Sequence, residues 1–358
     1  MSKSGFVPGP ARIKVIGLGG SGCNAVTRMV REQIRGVEFI AMNTDAQQLE
    51  VTEAPVRIQI GEHLTRGLGA GGDHTIGRRS AEESRDEIGE AVSGADMVFI
   101  TAGMGGGTGT GSAPVVAELA RRSGALTIAV VTKPFSFEGA HRKKVAEEGI
   151  GNLMKEVDTL IIVPNDRLLE LCDRKTSVDN AFKYADGVLQ QGVQAITEVI
   201  TEPGLINLDF ADVRAIMKDA GPAWMAVGHG TGQNRAVDAA RQALASPMLD
   251  VSLQGATGVL FNVTGSDLTL FEVSAAAEII KQAVDPDANV IFGVAVDPNM
   301  NRDVRLTLVA TGFASKEGMA NAAREREIEK LLKNTKKEEL DIPAFVRQSA
   351  IPGRYRSN

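Results

Sequence analysis

The sequence predicts an α/β fold: a Rossmann-like domain on a parallel sheet, a long central helix, a second, smaller α/β domain and a disordered C-terminal tail. Three observations predict it. Near-continuous apolar runs alternate with amphipathic stretches through the first half, as in a parallel sheet covered on both faces. Glycine-rich loops fall at the carboxyl ends of those runs, where open α/β sheets hold ligands. A striped apolar segment of helical period at 178–200 then separates this half from a second α/β pattern.

In chain order, residues 12–17, 37–42, 56–60, 95–101, 125–131 and 159–163 read as strands, and 23–33, 76–92, 112–122 and 138–154 as helices. In the long helix, Ala181, Ala185, Val188, Leu189, Val193, Ile196 and Ile200 share one broad stripe. Beyond it, 210–218, 233–245 and 270–283 read as helices, and 223–228, 258–264, 289–296 and 304–311 as strands. The expected organisation is a flexible N-terminus (1–11), a first domain (12–177), the central helix (178–202), a second domain (203–313), a linker (314–339) and a tail (340–358). The linker is rich in Lys, Arg, Glu, Ala and Asn, and Ile328, Leu331 and Leu332 support only a marginal helix there. Apolar character returns at Leu340, Ile342, Pro343, Phe345 and Val346, a small cluster on a polar tether, which suggests a docking peptide. The alternative is a tail folded back on the core.

Composition excludes several classes. At 358 residues the chain suffices for two cores, and 43% hydrophobic and 23% charged residues are ordinary for a soluble protein. A net charge of −6 argues against nucleic acid as the main partner. The two cysteines, Cys23 and Cys172, lack metal-site spacing and fit a reducing compartment. With no signal-like start and no apolar run near the length of a membrane span, the expectation is a cytoplasmic protein without direct membrane insertion.

The chemistry concentrates in the run Gly105-Gly106-Gly107-Thr108-Gly109-Thr110-Gly111, between an apolar strand and a helix. Glycines so dense are kept where backbone turns sharply or approaches a ligand closely. Their N–H groups can converge on an anion at a helix N-terminus, with Thr108 and Thr110 adding hydroxyl donors, which points to a phosphate chain. A flexible linker rarely sits between a strand and a helix. A Walker A loop is excluded, because no Gly-Lys pair occurs in the chain. Gly17-Leu18-Gly19-Gly20-Ser21-Gly22 matches the Rossmann glycine pattern, with Asp45 as a candidate ribose ligand. That reading leaves the 105–111 loop and a third loop, 67–72, unexplained. Three glycine loops suggest several phosphates and hence a nucleoside triphosphate.

Gly19-Gly20-Ser21-Gly22, Asn43-Thr44-Asp45-Ala46-Gln47, Leu68-Gly69-Ala70-Gly71-Gly72, residues 105–111 and Asn207-Leu208-Asp209-Phe210-Ala211-Asp212 appear in order. Together they resemble the loops of the FtsZ family, the bacterial tubulin-like cell-division GTPases, over about residues 12–313. The cluster at 340–347 resembles that family's partner-binding peptide. Asp73-His74 stands where Asn-Pro is common in the family, and the linker is short.

The resemblance implies a GTPase domain that takes GTP or GDP with Mg2+ and has no side-chain metal site. It puts Gly20, Ser21, Gly22, Cys23 and Asn24, and Gly106, Gly107, Thr108 and Gly109, around the phosphates, with Ala70 and Gly71 near the γ-phosphate. Gly19, Asn43, Gly103 and Pro134 join the nucleotide set, Glu138 and Arg142 contact the ribose region, Asn165 and Asp186 read the base, and Phe182 stacks on it. Guanine's adjacent N1–H and N2 donors independently suit a carboxylate such as Asp186, whose bland reading is a solvated charge on a helix face. Asp209 and Asp212, spaced i, i+3 at a helix start, share one side; Asp209 also suits an N-cap. In the resembled family this pair, with Asn207, is supplied by the next subunit of a head-to-tail filament, so catalysis needs the polymer. The resemblance further implies a division ring at mid-cell, tethered to the membrane by an adaptor that binds 340–347.

Two other classes compete. An NAD(P)-dependent oxidoreductase would need a proton-transfer group, but His63, His74, His141 and His229 lie in unpatterned contexts. A non-hydrolysing tubulin-like scaffold would not need Asp209 and Asp212.

Overall fold

The structure, a computed structural model, describes residues 11–170, 176–201, 209–249, 253–297, 300 and 302–313. Cys172, Asn207 and everything from 314 onward, including the linker and the docking cluster at 340–347, lie outside the described residues.

Strands β1 (Ile13–Leu18), β2 (Val37–Asn43), β3 (Val56–Gln59), β4 (Met97–Gly103), β5 (Leu126–Lys133) and β6 (Thr159–Pro164) pair in parallel in the order β3-β2-β1-β4-β5-β6. Alternate side chains serve two faces, as the pleat requires. Val15 and Phe99 pack toward α1 (Gly19–Arg31) and α9 (Val178–Thr201), whose Met29, Leu189, Val193 and Ile196 are fully buried. Ile16 and Ile100 pack toward α4 (His74–Glu83), α5 (Arg85–Val92), α6 (Thr108–Arg122) and α7 (Ala140–Leu153) through Ala81, Ile88, Val116 and Leu153. Burial on both faces is why these strands read as unbroken apolar runs.

The second half continues the same sheet. β7 (Gly221–Gly230) pairs in parallel with β6 through its first three residues, then antiparallel with β10 (Val304–Thr311). β10 runs antiparallel to β8 (Gly258–Gly265), which pairs in parallel with β9 (Asn289–Val296). Helices α10 (Phe210–Met217), α11 (Arg235–Leu244) and α12 (Leu270–Ala283) complete this half. One core cluster, packed from Ala239, Phe261, Ala276 and Leu308, belongs to it alone.

Several boundaries differ from expectation. The stretch expected as one helix, 76–92, is α4 and α5, broken at Ser84, whose Oγ accepts the Gly61 N–H at 3.0 Å. The helix expected over 138–154 begins at Ala140, preceded by a 3-10 turn at Ser136–Glu138. The third glycine loop does not leave a strand directly: α2 (Ala46–Glu50) follows β2, and α3 (Glu62–Thr65) separates β3 from the loop. Most consequentially, α1 begins at Gly19 rather than 23 and α6 at Thr108 rather than 112, so Gly19–Gly22 and Thr108–Gly111 are first turns of helices.

Candidate nucleotide site

Where β1, β4, β5 and β6 end, the chain encloses a cavity of about 250 Å3. The mouths of α1 and α6 form one side. Gly19 adopts φ +67°, a left-handed conformation that swings the chain from β1 straight into the helix, and a Cβ there would stand 2.9 Å from the Gly109 nitrogen. The two helix starts therefore touch. Neither has a side-chain cap and neither has an acid in its first turn. The first N–H groups of each helix lack intrahelical partners, and each end carries about half a positive charge. Two such ends on one cavity make an anion-binding cradle.

Gly105, at φ +102°, turns the second loop, and its N–H donates to Thr110 Oγ1 at 2.8 Å. Thr110 is buried, so its hydroxyl shapes the loop from behind, and the expectation that it donates into the site is corrected. Thr108 does line the cavity, and its Oγ1 lies 2.6 Å from Thr44 Oγ1, which joins the ends of β2 and α6. Of the expected phosphate set, Gly20, Ser21, Gly106, Gly107, Thr108 and Gly109 are lining residues, as are Gly19 and Gly103 of the wider nucleotide set.

The others stand behind or beside them. Gly22 packs on β4, where a Cβ would meet the Thr101 carbonyl at 2.4 Å. Cys23 is buried and burial pushes its thiol up to about 12, so no side-chain chemistry is available there. Asn24 accepts from Gln48 Nε2 at 3.1 Å, and Asn43 Oδ1 closes the end of β2 by accepting the Thr44 N–H at 2.9 Å. Asp45 caps α2 through the Gln48 N–H at 3.0 Å. Ala70 is buried against Gly107, and Gly71 is exposed in a left-handed conformation.

The far end is built for a different chemistry. Asn165 opens α8 (Asn165–Leu168); it is buried, and its Oδ1 has no hydrogen-bond partner. A buried amide oxygen left unpaired at a cavity wall costs free energy that a ligand donor recovers. Phe182 lines the same end, edge-on to Phe135 at 5.5 Å, and Phe135 stacks on Phe137 at 4.9 Å. Asp186, one turn along α9, accepts from Ser21 Oγ at 3.4 Å. Burial pushes its carboxyl up to about 6, against the opposing pull of the Arg28 charge and the Ser21 hydroxyl. Pro134 and Arg142 line the remaining wall with Glu138, whose two oxygens accept from the Phe135 N–H at 2.8 Å and Arg142 Nη1 at 2.6 Å.

Asp209 and Asp212 are not among the lining residues. Asp209 caps α10, accepting the Asp212 N–H at 2.9 Å, while Asp212 reaches back to the Asp209 N–H at 3.4 Å. Sequence reasoning did not name Leu18, Met104, Thr132 and Ala185, which also line the cavity. For Thr132 the signal was available: it sits at the carboxyl end of β5, where the sheet rule puts ligand contacts.

Residues 12–173 match the Tubulin/FtsZ family, GTPase domain, and residues 221–314 match the FtsZ family, C-terminal domain. An empty dimer of FtsZ from M. jannaschii is 48% identical over 86% of this chain and 90% of its own, with a TM-score of 0.83. The chain belongs to the FtsZ family. A point mutant of the M. jannaschii FtsZ agrees, at 49% identity over 86% of this chain and 92% of its own, with a TM-score of 0.83. CetZ2 from Haloferax volcanii, in a GTPγS-bound protofilament, shares the fold at 20% identity, covering 90% and 99% of the two chains with a TM-score of 0.73. This FtsZ-family chain therefore carries a tubulin-type GTPase domain followed by an FtsZ-type C-terminal domain. Among its described residues no helix is long and apolar enough to cross a membrane.

Proposed function

We propose that this chain binds GTP in the cavity, assembles head to tail, and hydrolyses GTP at the contact between two copies, building the division ring in the cytoplasm at mid-cell. The observation that carries the binding half is the meeting of two uncapped, acid-free helix N-termini on one cavity. Phosphates occupy that cradle. Guanine lies toward Phe182, its N1–H and N2 donors facing Asp186 and its polar edge facing Asn165. Glu138 and Arg142 flank the ribose.

The hydrolytic half rests on what the cavity lacks. Among its described lining residues the one carboxylate, Glu138, has both oxygens engaged. A water attacking the γ-phosphate needs a group to orient it and take its proton. Asp209 and Asp212, outside the lining, serve a neighbour's nucleotide, with Asn207 as the third member of the set. A contact that joins unlike faces does not close on itself, and so gives a filament. The exposed Leu270 and Phe271 at the start of α12 supply apolar surface outside the nucleotide face.

Among the described residues no three His, Cys, Asp or Glu side chains gather as a metal set. Mg2+ would ride on the phosphates and their waters, neutralising charge there. The expected division of labour follows the boundaries above: 12–177 binds GTP, 178–202 connects, 203–313 activates, 314–339 tethers, and 340–347 docks a membrane adaptor. Phosphate release per subunit, followed with light scattering across a dilution series, tests the reading. Turnover per subunit rises from near zero above a threshold concentration. A rate independent of dilution refutes catalysis between subunits, and turnover of NADH instead of GTP would restore the oxidoreductase alternative.

A further inference from the structure

Helix α4 carries no residue of the cavity wall, yet it touches the wall's backbone more closely than any side chain would permit. A Cβ on Gly77 would fall 2.2 Å from the Gly107 carbonyl oxygen, 2.9 Å from its carbon and 3.0 Å from the Thr108 Cα. The contact is met from the other side at Gly111, where a Cβ would fall 2.1 Å from the His74 oxygen and 2.5 Å from the Arg78 nitrogen. Helices α4 and α6 thus meet backbone to backbone along a glycine seam. Between them stands the Gly107 carbonyl, which accepts the Gly111 N–H at 3.0 Å and so closes the first turn of α6. That turn presents the N–H groups of the cradle.

We infer that Gly77 is a positioning residue for the phosphate end of the cavity: α4, pressed on the Gly107 carbonyl, fixes the direction in which the first turn of α6 aims its donors. The inference rests on the proposed reading that phosphates occupy that end. The loop before α4 reinforces the contact. A Cβ on Gly107 would come 2.8 Å from the Ala70 Cβ, and Asp73 caps α4 through the Thr75 N–H at 2.7 Å. Residues 70–78 and 107–111 therefore form one packed body, because interiors at this density transmit displacement rather than absorb it. Occupancy of the cradle stiffens α4, and a wedge under α4 misdirects the cradle.

Hydrogen exchange on the full wild-type chain, with and without GDP, tests the coupling without any substitution. Amides of 107–111 and 74–78 gain protection together. Protection confined to 107–111 overturns the inference. Protection of neither segment at saturating GDP overturns the phosphate reading and the inference with it. Gly77→Ala supplies the second measurement. A misplacement of about an ångström at a positioned site costs roughly 10–100-fold, so GDP and GTP affinity falls by about that factor while guanosine affinity, set by the far end of the cavity, is retained. A general loss of structure would weaken all three alike. Gly89→Ala, on α5 where a Cβ meets nothing within 4 Å, leaves all three unchanged. A folded Gly77→Ala chain with unaltered GDP affinity refutes the positioning role.

Discussion

Asp186→Asn separates the cost of the proposed base-reading carboxylate from its use. An aspartate ordinarily titrates near 3.8, and burial pushes Asp186 up to about 6. At about 1.4 kcal/mol per pKa unit, with part discounted because the side chain keeps some contact with solvent, charging it at neutral pH costs the apo fold roughly 1–3 kcal/mol. The sign follows from proton linkage. The folded chain holds the proton more tightly than the unfolded one, so stability falls as pH rises from about 4 to about 6, and the whole penalty stands above that. Asn carries no charge and keeps an acceptor for Ser21 Oγ. The variant should therefore be more stable than wild type by roughly 1–3 kcal/mol at pH 7.5, and the gap should close as the pH is lowered to about 4. GTP binding should move the other way. Losing hydrogen bonds to a charged acceptor costs about 1.5–3 kcal/mol, or roughly 10–100-fold in affinity. Thermal unfolding of both apo proteins across this pH range, followed by the emission of the single tryptophan, Trp224, gives the first comparison, and calorimetric titration gives the second. A variant less stable than wild type at pH 7.5, or a gap that ignores pH, would refute the assignment of burial as the dominant cause.

Three other outcomes are expected. Asp212→Ala should lower GTP turnover by about 10²–10⁴ while equilibrium dialysis shows GTP binding intact and filaments outlast those of wild type; loss of binding would move Asp212 into the pocket. A chain ending at Phe313 should assemble and hydrolyse GTP as the full chain does but fail to bind an adaptor presented on vesicles, and failure to assemble would assign the tail to the folded core. Cys23, with its thiol pushed up to about 12, should hold only about one thiolate in 10⁴ at pH 8, so peptide mapping after alkylation of the native chain should find it unmodified. Fast alkylation there would mean that α1 opens.

The strands were legible because the parallel part of the sheet is buried on both faces, which writes an apolar run into each one. The start of α1 was not. Gly19, Gly20 and Gly22 have poor helix propensity and read as a loop, but burial of Val26 and Met29 against the sheet carries the helix back through them. At α6 the same override converts an apparent phosphate loop into a helix mouth. The break at Ser84 depended on a hydrogen bond to Gly61, a distant partner that no local periodicity reports. Thr110 was misread for the opposite reason: its residue type suited a donor, and only the fold reveals that it is buried behind the loop, away from the cavity wall, where it accepts the Gly105 N–H. The continuity of the two halves through β6 and β7 was likewise invisible, since it hangs on three residues paired across a long stretch of chain.

The absence of acid from the cradle makes the proposed division between binding and hydrolysis a matter of electrostatics. A carboxylate in the first turn of α1 or α6 would satisfy the helix end and compete with phosphate for the same N–H groups. Leaving both ends bare strengthens anion binding and removes the group that would activate water. Glu138 does not fill the gap, because its two oxygens hold the Phe135 N–H and Arg142. Asp209 and Asp212 hold each other's backbone N–H at the head of α10, an arrangement that fixes both side chains before any neighbour arrives. On the proposed reading, tight binding within one chain and slow hydrolysis without a second have a single cause: the cradle is good for phosphate because neither helix carries an acid in its first turn to compete for the N–H groups, and the water-activating group must be brought to it.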